Sequence, residues 1–158
     1  MKSKAKTNAT RILDLQKYEY QVLTYDYQDG EITGTAVANK IGREKEVVYK
    51  TLVTISERDL FVFVIPVAEE LDLKKAAKAA GVKKLDMLPV KEIQKWTGYI
   101  RGGCSPIGMK KNLPTFIDER ARELEKIIVS AGKIGVQMEL KPQDLAESVE
   151  AQFHELVK

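Results

Sequence analysis

Residues 47–67 read VVYKTLVTISERDLFVFVIPV and hold two runs rich in β-branched and aromatic residues. Such runs are typical of strands, and the polar residues 56–59 between them predict a turn. The pair is therefore expected to form an antiparallel hairpin. Within the first run, period-two alternation places Lys50 on the same face as Val48 and Leu52. Both faces of that run are mainly apolar, which indicates a central strand covered on two sides.

A lysine is out of keeping with such a strand. Either Lys50 guards an exposed sheet edge against aggregation, or its ammonium points into a cleft where it has a function. The two-sided apolar pattern favours the functional interpretation.

The rest of the chain predicts helices and strands without regular βαβ alternation. Residues 131–133 are expected to form the turn of a second hairpin. This mixture favours an α+β fold, with a mixed or largely antiparallel sheet in one compact domain that spans residues 1–158. Helices are predicted at about 7–17, 35–41, 73–80, 89–96 and after Pro142, and strands at 20–26, 47–55, 60–67, 85–88, 113–117, 124–130 and 134–140.

Composition excludes several mechanisms. The chain has one cysteine and one histidine, so neither an internal disulfide nor a His/Cys zinc cluster can form within it. A catalytic triad would need His154, which lies close to the last residue and is expected to be solvated on a terminal helix or strand. No apolar stretch approaches the ~18 residues of a membrane span. We therefore expect a cytoplasmic protein that uses no metal and no cofactor.

A second informative stretch, TGYIRGGCSPIG at residues 97–108, holds four of the ten glycines. It is not a phosphate-binding loop of the Walker type, because no Lys-Ser or Lys-Thr pair follows, and it lacks the G-x-G-x-x-G pattern. Glycines interleaved with packing residues in mid-domain indicate a built site rather than a linker.

Cations surround that stretch, although the net charge is only +3. Such a distribution suits a polyanionic ligand such as RNA, and the alternative is a solvated helix face. The cations are Lys74, Lys75, Lys78, Lys83, Lys84, Lys91, Lys95, Arg101, Lys110 and Lys111.

Three motifs carry a family resemblance: YKTL at 49–52, the glycine-rich stretch at 97–108, and AGKIG at 131–135 followed by residues 142–145. In order and spacing they resemble the YbaK/EbsC family of Cys-tRNA(Pro) deacylases, relatives of the editing domain inserted in bacterial prolyl-tRNA synthetases. Cys104 and Ile134 depart from the family pattern, which usually has an aliphatic residue and often an arginine there. The resemblance implies a cytoplasmic trans-editing deacylase with a mixed α/β fold on a curved, barrel-like sheet flanked by helices.

The implied substrate is an aminoacyl ester on the terminal adenosine of tRNA, whose hydrolysis passes through an oxyanion. We expect Gly102 and Gly103 to form the oxyanion hole or to position the carbonyl. Lys50 would hold phosphate or ribose of that adenosine. The resemblance adds Tyr25 as a wall or hydrogen-bond partner and Ser130 as a polar positioner. The attacking group is either a bound water or the thiol of a cysteinyl substrate.

The glycine-rich stretch supplies further candidates for substrate binding. Ser105 and Pro106 are expected to set its shape, and Cys104 to be a small packed side chain rather than a reactive thiol. The complete set is Thr97, Gly98, Tyr99, Cys104, Ser105 and Pro106.

The expected partners are the acceptor end of tRNA(Pro) and prolyl-tRNA synthetase. Cys-tRNA(Cys) is a further implied substrate. Two alternatives stay open: an editing enzyme for Ala-tRNA(Pro), and a non-catalytic module that binds an aminoacyl-tRNA or nucleotide.

Overall fold

The structure is a computed structural model that describes residues 7–100 and 102–158. Arg101, one of the cations noted above, lies outside the described residues. The helices are α1 (Asn8–Gln16), α2 (Gly34–Ile41), α3 (Leu73–Ala80), α4 (Val90–Thr97) and α5 (Pro142–Val149). The strands are β1 (Tyr20–Thr24), β2 (Tyr49–Ser56), β3 (Asp59–Pro66), β4 (Asp86–Met87), β5 (Thr115–Asp118), β6 (Ile127–Lys133), β7 (Val136–Leu140) and β8 (Gln152–His154).

The predicted hairpin at residues 47–67 is confirmed as β2 and β3. The two strands pair antiparallel from Tyr49 opposite Pro66 to Ser56 opposite Asp59. They form the centre of a five-stranded sheet of order β4-β2-β3-β5-β8. In this sheet β5 runs parallel to both β3 and β8.

A second sheet, of three antiparallel strands in the order β1-β7-β6, meets the first where β6 approaches β2. An isolated parallel bridge between Val48 and Ile128 joins them, and we call this junction the seam. The strands bend around a shared core without closing into a complete barrel. The expectation of a mixed fold on a curved, barrel-like sheet is therefore confirmed.

Both faces of β2 and β3 are covered, as their two apolar faces predict. Tyr49 and Val64 belong to the core between the sheets, where they pack with Leu13 of α1 and Met138 of β7. On the outer face, Phe63, Ile65 and Phe116 pack beneath Ala76 and Ala77 of α3. α2 covers the outer face at the seam, where Ala38 packs on Val48 and Ile128.

The second hairpin is present, but its predicted turn at residues 131–133 is wrong. β6 continues through Lys133, and the turn consists of Ile134 and Gly135. Gly132, with φ of 100°, lies in a register shift between Ser130 and Lys133 rather than in the turn. A glycine in the left-handed region suits a bulge as well as a turn, so the glycine pattern alone could not separate the two.

Boundaries shift elsewhere for local reasons. β5 begins at Thr115 and not at residue 113, after Pro114, which has no N–H to donate to a sheet. β6 begins at Ile127 and not at residue 124, because residues 119–123 form a short 3₁₀ helix. None of the helices within residues 7–100 and 102–158 has both the length and the apolar character to cross a membrane.

Candidate active site

Lys50 lies at the seam, paired with Ile65 of β3 on one side and adjacent to β6 on the other. It therefore does not sit on an exposed edge. Its side chain is half-buried, and burial lowers the pKa of its ammonium, an effect that the carboxylates of Glu70 and Glu69 oppose. Holding an ammonium partly away from water costs free energy, so a lysine retained in such a position is a candidate for a function there.

Ser130 of β6 lies level with Lys50 across the seam. The parallel bridge between Val48 and Ile128 sets the register, and two residues further along each strand come Lys50 and Ser130. Val48 and Ile128 share one apolar cluster, so alternation directs Lys50 and Ser130 to that same outer face. The structure thus brings together a cation and a hydroxyl that are far apart in the sequence.

Gln137 of β7 lies on the same face as these two residues, and sequence reasoning missed it. We call Lys50, Ser130 and Gln137 the polar row. Gln137 pairs with Ser130 and with Leu23 of β1, which places all three on one face. Its side chain is only 6% exposed, and its Oε1 accepts no hydrogen bond from the described residues. Buried polar groups normally have partners, so this amide oxygen is a candidate acceptor for a donor from outside the described residues.

Tyr25 follows β1 and is buried beside the turn of the second hairpin. Its backbone N–H donates to the carbonyl of Gly135 at 3.0 Å. The Lys40 ammonium lies 5.9 Å from the centre of the Tyr25 ring. Lys40 also donates to the Asp26 carbonyl at 2.6 Å and to Asp29 Oδ1 at 2.7 Å, so it holds the loop that follows Tyr25.

The glycine pair packs against the same turn. A Cβ added to Gly103 would lie 3.0 Å from the backbone nitrogen of Ile134 and 3.2 Å from the carbonyl carbon of Lys133. Gly102 has φ of 88°, and its added Cβ would meet the side chains of Ile32 and Ile134 at 3.3 and 3.5 Å. Gly103 therefore permits a close backbone approach, and Gly102 permits a left-handed turn.

The two glycines differ in their amide groups. The N–H of Gly103 donates to the carbonyl of Ile100 at 3.0 Å. That bond closes a turn and engages the donor that the oxyanion prediction assigned to Gly103. Gly102 is accordingly the better candidate for an amide that faces a substrate carbonyl.

Residues 97–99 hold the glycine-rich stretch in place. Thr97 Oγ1 donates to the Ile93 carbonyl at 2.7 Å and accepts from the Tyr99 N–H at 3.0 Å. Gly98 ends α4 with φ of 85°. The Tyr99 hydroxyl donates to the Ile107 carbonyl at 2.6 Å, and burial raises its pKa. These contacts give all three residues a positioning role, and direct contact with substrate stays a prediction.

Residues 104–106 turn inward. Burial raises the pKa of the Cys104 thiol to about 11, so the thiol is not activated. Ser105 is fully buried and its Oγ accepts from the Ile107 N–H at 3.2 Å, which agrees with a shape-setting role. Pro106 lines a different cavity of about 640 Å³ between α1 and the end of α5. That cavity does not include the polar row.

The histidine considered for a catalytic triad lies away from this site. His154 is in β8, where its Nε2 lies 3.1 Å from Gln152 Oε1 and its ring meets Phe116 edge-on. Among the residues that the structure describes, no three His, Cys, Asp or Glu side chains are arranged to hold a metal ion. The described site is therefore built from a cation, a hydroxyl, an amide side chain and glycine backbone.

Such a constellation suits the binding and polarisation of an ester, and comparison with known proteins agrees. Residues 32–148 match the family model of the aminoacyl-tRNA editing domain. The chain belongs to this family, which confirms the resemblance noted in the sequence.

One relative spans almost the whole chain. It is a protein of Enterococcus faecalis (strain ATCC 700802 / V583), provisionally named Cys-tRNA(Pro)/Cys-tRNA(Cys) deacylase EbsC. The two are 46% identical over 98% of this chain and 95% of that protein. A proline–tRNA ligase of Shouchella clausii (strain KSM-K16) is 30% identical over 62% of this chain, which corresponds to 17% of the ligase.

A solved structure supports the fold. A crystal structure provisionally described as a trans-editing enzyme for prolyl tRNA synthetase superposes with a TM-score of 0.83. The alignment covers 98% of this chain and 99% of that one, at 23% identity. This confirms the predicted editing-domain fold.

Proposed function

We propose that this protein is a trans-editing aminoacyl-tRNA deacylase that hydrolyses the ester of mischarged Cys-tRNA(Pro), with Cys-tRNA(Cys) as a second substrate. The observation that carries the proposal is the polar row of Lys50, Ser130 and Gln137 across the seam, next to the hairpin turn that supports Gly102. The relationship to EbsC, which extends over nearly the full chain, supports the substrate class. We place this activity in the cytoplasm, within one editing domain formed by residues 1–158.

In this proposal the polar row and Gly102 bind the adenosine, the carbonyl and the aminoacyl group of the ester substrate. The Lys50 ammonium holds phosphate or ribose of the terminal adenosine. The Gly102 amide stabilises the oxyanion that develops on the carbonyl, where a preorganised donor has its largest effect. The Gln137 Oε1 accepts a hydrogen bond from the substrate, for example from its α-ammonium.

The polar row itself contains no carboxylate or imidazole, and the nearby carboxylates of Glu69, Glu70 and Glu139 are paired with Arg120, Lys158 and Arg43 rather than free to act as a general base. This favours the route in which the cysteinyl thiol attacks its own carbonyl. A carbon–sulfur bond forms, the ester carbon–oxygen bond breaks, and the thiol proton passes to the ribose oxygen that leaves. Water then opens the resulting thiolactone to cysteine. Direct attack by bound water is the alternative route.

The test is the loss of radiolabelled amino acid from charged tRNA over time. We expect fast release from Cys-tRNA(Pro), and slower release from Ala-tRNA(Pro) and Ser-tRNA(Pro). Faster release of alanine would identify an alanine editing enzyme instead. A protein that protected the ester from spontaneous hydrolysis would be a binding module, and the proposed activity would be wrong.

The proposed partners follow from the same relatives. The substrate tRNA would be recognised at its acceptor end, and prolyl-tRNA synthetase would deliver it. Part of this chain matches part of a proline–tRNA ligase, which supports a shared substrate.

A further inference from the structure

Helix α4 and the segment after the glycine-rich stretch form a cationic surface. It consists of Lys91 and Lys95 on α4 with Lys110 and Lys111 beside it, and all four side chains are exposed. We call these residues the α4 lysine cluster. Lys91 and Lys95 are four positions apart and so project from one face of the helix.

The cluster is organised around Trp96, the only tryptophan in the chain. The Lys111 ammonium lies 5.0 Å from the centre of the indole rings, and the Lys95 ammonium lies 5.4 Å from it. Trp96 itself packs with Ile93 and Met109 against the apolar cluster formed by Val53, Leu60 and Leu88. The ring therefore fixes two ammoniums on a rigid part of the surface.

The charge of this cluster is poorly neutralised. Of the ion pairs between described residues, one involves the cluster, a 3.9 Å contact between Lys95 and Glu92. Elsewhere lysines have close acidic partners: Lys40 with Asp29 at 2.7 Å and Lys75 with Glu155 at 2.8 Å. A group of exposed cations with one distant acidic partner is suited to a polyanion.

The cluster is continuous with the candidate active site. The Lys110 N–H donates to the Thr97 carbonyl at 3.0 Å, and the Lys110 side chain covers Gly98, where an added Cβ would lie 3.3 Å from Cγ. From there the chain enters the glycine pair within five residues. A nucleic acid whose end lies at the glycine pair would extend across this surface.

We propose that the α4 lysine cluster binds the phosphate backbone of the tRNA acceptor stem. This inference rests on the proposed function for the location of the 3′ end, and it adds the surface that holds the body of the substrate. Lysine–phosphate contacts carry no sequence information, so the cluster contributes affinity and orientation rather than choice of tRNA.

The experiment measures the affinity for uncharged tRNA between about 50 and 300 mM salt, a range in which counterion release determines how the affinity changes with salt. K95Q/K111Q should bind about 10- to 100-fold more weakly at low salt, with a slope of log K against log[salt] that is smaller by about 2. Lys110 is left intact because its stem packs on Gly98. The matched control is K126Q/K141Q, which removes two exposed lysines at the end of the second hairpin away from its turn.

The same variants are then tested on two substrates, charged tRNA and an aminoacylated CCA trinucleotide. K95Q/K111Q should lose activity on the tRNA through a raised KM and keep wild-type activity on the trinucleotide. An unchanged salt slope, or an equal loss with the control, would overturn the proposal and leave an acidic protein as the partner of this surface. Since uncharged tRNA is bound without turnover, the salt slope can confirm the cluster even if the chain hydrolyses no ester.

Trp96 provides an independent reporter. Wild-type fluorescence should change on titration with tRNA and stay constant with the CCA trinucleotide, because only the stem reaches α4. An emission that tRNA leaves unchanged would contradict the proposal.

Discussion

Lys50 of β2 and Ser130 of β6 hold matched positions on the outer face of the seam, each two residues beyond the bridge between Val48 and Ile128. In the sequence alone both residues allow a structural interpretation, since a lysine can guard a strand edge and a serine can end a strand. Their position indicates a site, because a half-buried ammonium, a hydroxyl and the unpartnered amide oxygen of Gln137 share one face of the sheets near the seam.

Replacement of Lys50 by methionine should abolish most deacylation and at the same time stabilise the fold. The substitution keeps the aliphatic stem and removes the ammonium whose burial is unfavourable. Thermal unfolding and single-turnover deacylation measure the two effects. Lys45→Met is the control, because Lys45 is exposed just before β2 and should affect neither property.

The stabilisation by Lys50→Met should depend on pH. The pKa of Lys50 is lower in the folded protein than the ordinary value of 10.5, so the unfolded chain binds this proton more tightly. The cost of the charged lysine is fully present below the folded pKa and disappears as the pH rises through 10.5. The gain in stability of Lys50→Met over the wild type should therefore shrink between the folded pKa and pH 10.5. A gain that stays constant with pH would come from packing instead.

Gly103→Ala should reduce activity by moving the glycine pair away from the second hairpin. The added Cβ meets backbone atoms of Lys133 and Ile134 at 3.0–3.3 Å, and backbone cannot rotate away as a side chain can. Gly103 does not have a positive φ, so close approach is the expected cause of the loss.

Gly81→Ala separates this effect from general instability. Gly81 ends α3 with φ of 74° and has open space around it. This variant should lose about 1 kcal/mol of stability through its dihedral angle and keep full deacylation. Equal activity in the two variants would show that the approach of Gly103 is unimportant.

Much of this arrangement could be predicted from the sequence, because the informative residues conflict with their surroundings. Lys50 interrupts an apolar strand, and the alternation around it correctly indicated a strand covered on both faces. The glycine-rich stretch likewise stood out. The close approach of this stretch to residues 133–134 could not be predicted, because contacts between distant segments leave no local pattern in the sequence.

Gln137 was missed for a definite reason. In β7 it alternates with Val136 and Met138, which is the pattern of a strand with one face in solvent. The structure buries that face, with Leu23 of β1 and Ala38 of α2 packed in the cluster beside it. Strand periodicity distinguishes the two faces, but it does not show what covers the polar one.

Gln137→Met should raise the KM for aminoacyl-tRNA without loss of stability. The side chains are similar in size, and an unpartnered buried acceptor costs about 1–3 kcal/mol, which the thioether avoids. Steady-state kinetics and chemical denaturation measure the two quantities. A destabilised variant with an unchanged KM would indicate that the amide is structural.

Cys104 should prove chemically inert. With its pKa raised to about 11, the thiol is protonated near neutral pH. A disulfide reagent should therefore label the folded protein roughly 100-fold more slowly than the unfolded protein at pH 8. Cys104→Ala should retain deacylation. Rapid labelling of the native protein, or loss of deacylation in Cys104→Ala, would show that the thiol is reactive.

Lys40 should control the loop between β1 and α2. Its ammonium donates to the carbonyls of Asp26 and Glu31 and to Asp29 Oδ1, at 2.6–3.0 Å. The loop contacts the glycine pair through Ile32, where the added Cβ of Gly102 would lie 3.3 Å from Cδ1. Lys40→Met removes these bonds and should raise the KM by about tenfold, because binding must then order the loop.

Hydrogen exchange tests this cause directly. Amides of residues 26–32 should exchange faster in Lys40→Met, whereas those of β2 and β6 should not change. Lys75→Met is the matched control, because Lys75 also donates to one carboxylate and one backbone carbonyl, those of Glu155 and Val157. That variant should leave both the KM and the exchange of residues 26–32 as in the wild type. If Lys40→Met raised the KM with no faster exchange in the loop, its ammonium would be acting on the substrate directly.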